Sequence, residues 1–151
     1  MEVEPARILL VEDDPLNVEL LQLALDRYNF VNSIEVLEDG EQALQYLLGK
    51  EGDPPNHPLP DLVLLDLRLR KINGIQVLQE IRNHPRTRDL AVVILTTSQE
   101  DLDLNACYAL GINSCIVKPL DFERLICAFR QVGLHWMLLK SSPLPPPSTF
   151  S

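Results

Sequence analysis

Acidic, hydroxyl and basic side chains stand directly after four of the five short apolar runs in this sequence. They are Glu12 and Asp13 after the first run, Asp66 after the third, Thr96 after the fourth and Lys118 after the fifth. Three carboxylates at short range repel one another unless a cation lies between them. Lysine and threonine supply a positive charge and a hydroxyl donor for phosphate oxygens. The set therefore suits phosphoryl chemistry at a carboxylate.

The ligand atoms that these residues offer indicate which cation would bind. Carboxylate oxygens at short range favour Mg²⁺, a hard ion that is usually held by one or two carboxylates together with phosphate oxygens. No histidine or cysteine stands at these positions to select zinc. We expect Mg²⁺ and no other cofactor.

Any one of these residues taken alone is more often a helix cap or a solvated loop residue than part of a site. Asp14, which precedes Pro15, is expected to be such a cap. The other residues follow four different strands. This joint placement favours a shared functional site over separate caps, provided that the fold brings the strand ends together.

The apolar runs alternate with segments of helical periodicity. Strands are predicted at 7–11, 33–37, 62–65, 91–95 and 113–117, and helices from residue 15 to about 28 and at 40–48, 75–82, 101–110 and 122–139. Parallel strands need crossover connections, which are almost always helical and right-handed. The pattern predicts a doubly wound α/β fold, a five-stranded parallel sheet with helices on both faces. Ligands bind at the carboxyl ends of the strands in such sheets, so the polar residues are expected to converge there.

Length and composition narrow the classes of protein. The 151 residues provide for one domain, predicted at 1–139, and a Pro/Ser-rich flexible tail at 140–151. A net charge of −9 disfavours nucleic acid as a ligand. No run approaches the roughly 20 apolar residues of a membrane helix, so we expect a cytoplasmic protein. The three cysteines, Cys107, Cys115 and Cys127, are expected to be reduced.

The last predicted helix carries apolar residues on two faces. One stripe contains Phe122, Ile126, Phe129, Val132 and Trp136, whereas Leu134 and Leu138 point elsewhere. The second face is either a dimer surface or a contact with the tail, and the sequence favours neither.

Five motifs in order resemble the response-regulator receiver domain of two-component signalling. They are the residues 9–15 (LLVEDDP), 61–66 (DLVLLD), 73–74 (NG), 94–98 (ILTTS) and 118–119 (KP). The resemblance spans about residues 6–132 and is highly specific as a set. It implies a flavodoxin-like sheet with strand order 2-1-3-4-5.

The resemblance also implies roles for the acidic residues. Asp66 would be the nucleophile that accepts a phosphoryl group from a phosphohistidine of a sensor histidine kinase. Asp13, Asp66 and the backbone carbonyl of Arg68 would ligate Mg²⁺ directly, and Glu12 would act through water.

Thr96 would bind a phosphoryl oxygen and move on activation, and Lys118 would form an ion pair with the phosphoryl group, before a cis peptide bond to Pro119. Two positions depart from the family pattern. Cys115 replaces an aromatic residue that is commonly coupled to the threonine, and Arg70 replaces a common proline. The usual aromatic switch is therefore in question.

A finer resemblance is to the small regulators that partner cyanobacterial phytochromes. It is carried by the insertion at 49–60, the run at 95–98, the long last helix with Trp136 and the lack of an output domain. It implies a light-regulated kinase as phosphodonor and a homodimer built on the last strand and helix. The output would be altered binding to an unknown downstream protein.

Two other functions compete with this interpretation. A pseudo-receiver would bind its partner without phosphorylation, and Cys115 keeps this reading open. A hydrolase that forms an aspartyl-phosphate usually needs a second acid beside its nucleophile, but Leu67 and Arg68 follow Asp66 here.

Overall fold

Apolar runs and helical segments alternate along the chain as the sequence predicts. A computed structural model describes residues 6–27, 32–50, 55, 58–69, 71–96, 101–117 and 123–124. Its elements are β1 (Ala6–Val11), α1 (Pro15–Arg27), β2 (Asn32–Leu37), α2 (Gly40–Leu48), β3 (Leu62–Asp66), α3 (Gly74–Asn83), β4 (Ala91–Thr96), α4 (Asp101–Ala109) and β5 (Ser114–Val117).

The five strands form one parallel sheet in the order β2-β1-β3-β4-β5, which confirms the predicted fold. β1 and β3 are neighbours although β2 lies between them in sequence. The winding direction reverses between β1 and β3, and the crevice at such a reversal is where ligands bind in open α/β sheets. Glu12, Asp13 and Asp66 follow or end these two strands.

Alternate residues of the strands pack against helices on opposite faces of the sheet. One buried cluster joins strand residues to α2, α3 and α4 and contains Leu9, Val11, Val63, Leu65, Val92 and Ile94 with Ala43, Leu47, Val77, Leu78, Ile81 and Cys107. Leu10 and Leu64 alternate with these strand residues, so they point to the other face of the sheet. They are also fully buried, as is Leu21 of α1. The strands are therefore buried on both faces, and α1 contributes a buried leucine.

Polar side chains cap the N-termini of helices that follow strands of the sheet. The Leu16 amide donates to Asp14 Oδ1 over 2.9 Å, so Asp14 caps α1 as the sequence predicts. Asn73 caps α3 in a capping box with Gln76. The caps fix where the loops end at the carboxyl edge of the sheet.

Element boundaries differ from the predicted ones by a residue or two at several places. Asp66 and Thr96 are the last residues of β3 and β4 rather than the residues after them. β5 begins at Ser114, since Asn113 bonds to Val92 through both its amide, at 2.9 Å, and its side-chain oxygen, at 3.0 Å. The side chain of Asn113 thus replaces a regular strand contact.

Several predicted features lie outside the described residues. They are Arg70, Lys118, Pro119, Cys127, all but two residues of the helix at 122–139 including Trp136, the dimer surface on that helix, and the tail at 140–151. Among the residues that are described, neither Cys107 nor Cys115 forms a disulfide. No helix in this described part is both long enough and apolar enough to cross a bilayer.

Arg82 connects the end of α3 to the end of α4. Its guanidinium donates to the carbonyls of Leu110 at 2.7 Å and Gly111 at 3.0 Å. The same group donates to the carbonyls of Arg88 at 2.9 Å and Leu90 at 2.8 Å. α4 has no basic residue in its own last turn, so Arg82 supplies both the hydrogen bonds and the positive charge that a helix C-terminus favours.

We expect Arg82→Met to lower the free energy of unfolding by about 2 kcal/mol, since several net hydrogen-bond contributions to main-chain carbonyls are lost together. Arg88→Met, at an exposed arginine of the adjoining turn, is the matched control and should change stability by less than about 0.5 kcal/mol. Urea denaturation of both variants measures the difference. Equal stability of the two would show that the bonds to α4 contribute nothing.

Candidate functional site

Three carboxylates meet at the reversal point of the sheet. One oxygen from each of Glu12, Asp13 and Asp66 lies within 4.8 Å of the others. Glu12 is 1% exposed and Asp66 is 4% exposed, whereas Asp13 is half-buried. The proximity follows from the pairing of β1 with β3, which sets Val11 beside Leu65 one residue before each acid.

Main-chain amides orient two of these side chains. The Arg68 amide donates to Asp66 Oδ1 over 3.0 Å, and the Asp14 amide donates to Glu12 Oε2 over a longer 3.4 Å. The Glu12 amide itself donates to the Leu37 carbonyl at 2.9 Å, which continues the β1–β2 pairing past the end of β1. The backbones of the loops after β1 and after β3 thus hold the Glu12 and Asp66 carboxylates in place.

The donor set fits the predicted Mg²⁺. It offers oxygen atoms alone, which hard cations prefer, and it concentrates negative charge where two of the three groups have little contact with water. Such a concentration of like charge is unfavourable without a counter-charge. Glu12, Asp13 and Asp66 are the residues that could hold a divalent ion. Arg68, the predicted fourth ligand, lies in the loop that follows β3.

Thr96 lies at the same edge of the sheet as the acids. It is 4% exposed and ends β4, where Leu95 pairs with Asp66 and Thr96 pairs with Val117 of β5. Lys118 is the next residue after Val117 in the sequence and falls outside the described residues. The described part of the chain therefore brings Glu12, Asp13, Asp66 and Thr96 to one edge.

An aromatic side chain from α4 lies against Cys115. The hydroxyl of Tyr108 is 3.7 Å from the Cys115 sulfur, and hydrogen bonding to this sulfur, followed by burial, raises the pKa of Tyr108. Tyr108 as a whole residue is 53% exposed. Cys115 thus has an aromatic neighbour in space where many receivers have an aromatic residue in sequence. The two residues are seven positions apart in the sequence, and no sequence pattern predicted the contact.

Gly74 is a site residue that sequence reasoning named only as part of a motif. A Cβ atom at this position would lie 2.4 Å from the Asp66 carbonyl oxygen and 2.6 Å from the Leu67 Cα. The Gly74 amide also donates to the Leu67 carbonyl at 2.9 Å. The start of α3 is therefore packed directly on the backbone of Asp66. A glycine immediately after a helix cap is the signal that could have indicated this contact.

The sequence matches the family profile of the response regulator receiver domain over residues 8–130. The chain belongs to this family. Receiver domains take phosphoryl groups from histidine kinases and bind Mg²⁺ at an acidic site, so the chain is a signalling domain rather than a metabolic enzyme.

Three relatives illustrate the range of the family. The probable methanogenesis regulatory protein FilR2 of Methanothrix harundinacea is 42% identical over 94% of this chain and 90% of its own. Response regulator Rcp1 of Synechocystis is 35% identical over 88% of this chain and 90% of its own. The solved structure of the bacteriophytochrome response regulator AtBRR has a TM-score of 0.78 and 39% identity, covering 91% of this chain and 99% of that one.

Rcp1 also has a crystal structure in a Mn²⁺-bound form. It shares 34% identity with this chain, covers 94% of it and 100% of itself, and has a TM-score of 0.66. A divalent ion therefore binds a relative of the same fold. The phytochrome-associated relatives confirm the finer resemblance indicated by the sequence.

We expect Gly74→Ala to weaken Mg²⁺ binding about tenfold or more and to destabilise the fold by about 1–3 kcal/mol, since the added methyl group must displace the Asp66 backbone. Gly111→Ala is the matched control. Gly111 has a φ of 75° but its Cβ would meet only Arg82 at 3.8 Å, so this change should cost stability without affecting Mg²⁺. Calorimetric Mg²⁺ titration and thermal denaturation separate the two effects.

Proposed function

We propose that this protein is a phosphorylation-controlled switch that accepts a phosphoryl group on Asp66 from a sensor histidine kinase. The observation that carries the proposal is the position of Asp66, a nearly buried carboxylate at the end of β3 whose oxygen lies within 4.8 Å of oxygens of Glu12 and Asp13. The family match supports the phosphodonor class.

The proposed reaction is an in-line displacement at phosphorus. An Asp66 oxygen forms the new P–O bond while the P–N bond of the phosphohistidine breaks and the imidazole leaves, taking up a proton. The Arg68 amide, 3.0 Å from Asp66 Oδ1, holds the carboxylate in one orientation, so less freedom is lost in reaching the transition state. Bound Mg²⁺ would offset the negative charge of carboxylate and phosphoryl oxygens.

Glu12, Asp13 and Arg68 are proposed to hold the ion together with Asp66. The proximity of the Glu12 and Asp13 carboxylates to that of Asp66, where β1 and β3 end, supports this assignment. Because the ion is shared with the phosphoryl group, its binding and phosphorylation should depend on each other.

Thr96 and Lys118 are proposed to bind the phosphoryl oxygens after transfer. Thr96 ends β4 beside the strand of Asp66, and Lys118 follows the β5 residue that pairs with Thr96. A hydroxyl and an ammonium bind the added oxygens through charge-assisted hydrogen bonds. Movement of Thr96 toward the phosphoryl group would then alter the surface formed by β4, α4 and β5.

The output is proposed to be altered binding to a downstream protein. β5 is an edge strand of the sheet, which supports pairing of two copies through β5 and the following helix. We propose that residues 1–139 form the switching domain and that 140–151 act as a flexible tail.

We expect Asp66→Asn to abolish labelling by acetyl [³²P]phosphate in the presence of Mg²⁺, because the amide is too poor a nucleophile to form the acyl phosphate. Asp14→Asn is the matched control: it lies in the same sequence cluster but caps α1, a role that asparagine fills as well as aspartate. It should label normally. Equal labelling of Asp66→Asn would move the phosphoacceptor elsewhere, and no labelling of the unaltered protein would favour a pseudo-receiver.

We propose a light-regulated histidine kinase as the phosphodonor, supported by the similarity to the bacteriophytochrome regulator AtBRR. Phosphotransfer profiling against the histidine kinases of the host should show fastest transfer from a phytochrome kinase, with a rate that differs between its two light states. The sequence identity to FilR2 is higher than that to AtBRR, so a kinase that responds to a signal other than light is the main alternative phosphodonor. Fast transfer from only a non-photosensory kinase would contradict the light link and leave Asp66 phosphorylation intact.

A further inference from the structure

Lys71 and Ile72, in the loop between β3 and α3, contact the start of α2. Lys71 in this loop has a φ of 65°, the left-handed conformation that only glycine adopts without strain. Its Nζ lies 3.5 Å from Asp39 Oδ2 and 3.6 Å from Glu41 Oε2. The backbone conformation at position 71 does not require a lysine, so the contribution of the Lys71 side chain is its ion pairs.

Asp39 serves both α2 and the loop with different oxygens. Its Oδ1 accepts from the Gln42 amide at 2.8 Å and caps α2, while Oδ2 faces Lys71. The Asp39 side chain is 10% exposed, whereas that of Glu41 is 52% exposed. The ion pair with Asp39 is therefore less screened by water than the pair with Glu41, and it joins the loop to a fixed helix end.

The backbones of the loop and of α2 are also in direct contact. A Cβ at Gly40 would lie 2.3 Å from the Ile72 carbonyl oxygen, so the residue after Lys71 rests on the first turn of α2. Both ends of the loop also contact Asp66: the Arg68 amide near its start bonds the carboxylate, and Gly74 just after its end packs on the carbonyl oxygen. Arg68 and Gly74, which lie on either side of Lys71 in the sequence, are thus both held against Asp66.

We propose that Lys71 is a positioning residue for Asp66. Its ion pair with Asp39 fixes the loop so that the Arg68 amide holds the Asp66 carboxylate in the orientation that metal binding and phosphoryl transfer require. The inference rests on the proposed function of Asp66, and it assigns the start of α2 a part in a site that lies at the ends of β1 and β3.

Two substitutions remove the ion pair while keeping the local fold. Lys71→Gly suits the positive φ, and Asp39→Asn keeps an oxygen to cap α2, since asparagine caps as well as aspartate. Lys71→Arg retains the charge and should restore the unaltered behaviour. Lys50→Met, at an exposed lysine elsewhere, controls for loss of one positive charge.

We expect Lys71→Gly and Asp39→Asn each to raise the dissociation constant for Mg²⁺, measured by calorimetry, about three- to fivefold, the range of a partly exposed ion pair. In the metal-free protein, hydrogen exchange of the segment 67–73 should become faster in both variants. Their melting temperatures should stay close to that of the unaltered protein, which a purely structural role would not allow. Combining both changes should add little, because they remove the same interaction.

Unchanged Mg²⁺ affinity and unchanged exchange in both variants would overturn the role of Lys71. So would failure of Lys71→Arg to restore affinity, or an equal loss in Lys50→Met. None of these results would change the assignment of Asp66 as the phosphoacceptor, because Mg²⁺ affinity and hydrogen exchange are measured without phosphorylation. The assignment of the phosphoacceptor is tested separately, by the labelling of Asp66→Asn.

Discussion

Repulsion among three carboxylates is the constraint on which the rest of this structure depends. Glu12, Asp13 and Asp66 bring oxygens within 4.8 Å of one another, and two of the side chains are almost fully buried. Like charges at such short range repel one another unless opposite charge lies close by. The pairing of β1 with β3, strands whose apolar residues are buried on both faces, is what imposes the proximity. The cluster thus offers a hard cation three carboxylate oxygens at one edge of the sheet.

Backbone contacts rather than side-chain packing set the geometry around Asp66. The Arg68 amide orients its carboxylate, Gly74 rests on its carbonyl, and Gly40 rests on the loop that follows. Close backbone approach of this kind is possible only where a Cβ atom is absent. The loop between β3 and α3 is consequently sensitive to small changes at α2 and α3, although neither helix contributes a carboxylate to the cluster.

Arginines near the end of α3 stabilise the opposite edge of the molecule. Arg82 donates to the carbonyls that end α4, and Arg86 donates to the Leu47 carbonyl in the last turn of α2 at 3.3 Å. Neither α2 nor α4 has a basic residue in its own last turn, so both helices rely on α3 for this charge. The three helices are therefore joined at the end away from the acids, which leaves the carboxyl edge of the sheet as the part where side chains can respond to a ligand.

The sequence by itself determined the element order, the fold class and the identity of the acidic cluster, because buried parallel strands leave continuous apolar runs whose ends are marked by polar residues. It also predicted the cap at Asp14, since capping is a local interaction. Only the tertiary structure revealed the roles of Gly74 and Gly40, the ion pair of Lys71 with Asp39, and the contact of Tyr108 with Cys115. These contacts join residues of different elements, and the residues of one element do not indicate which part of another element will lie beside it.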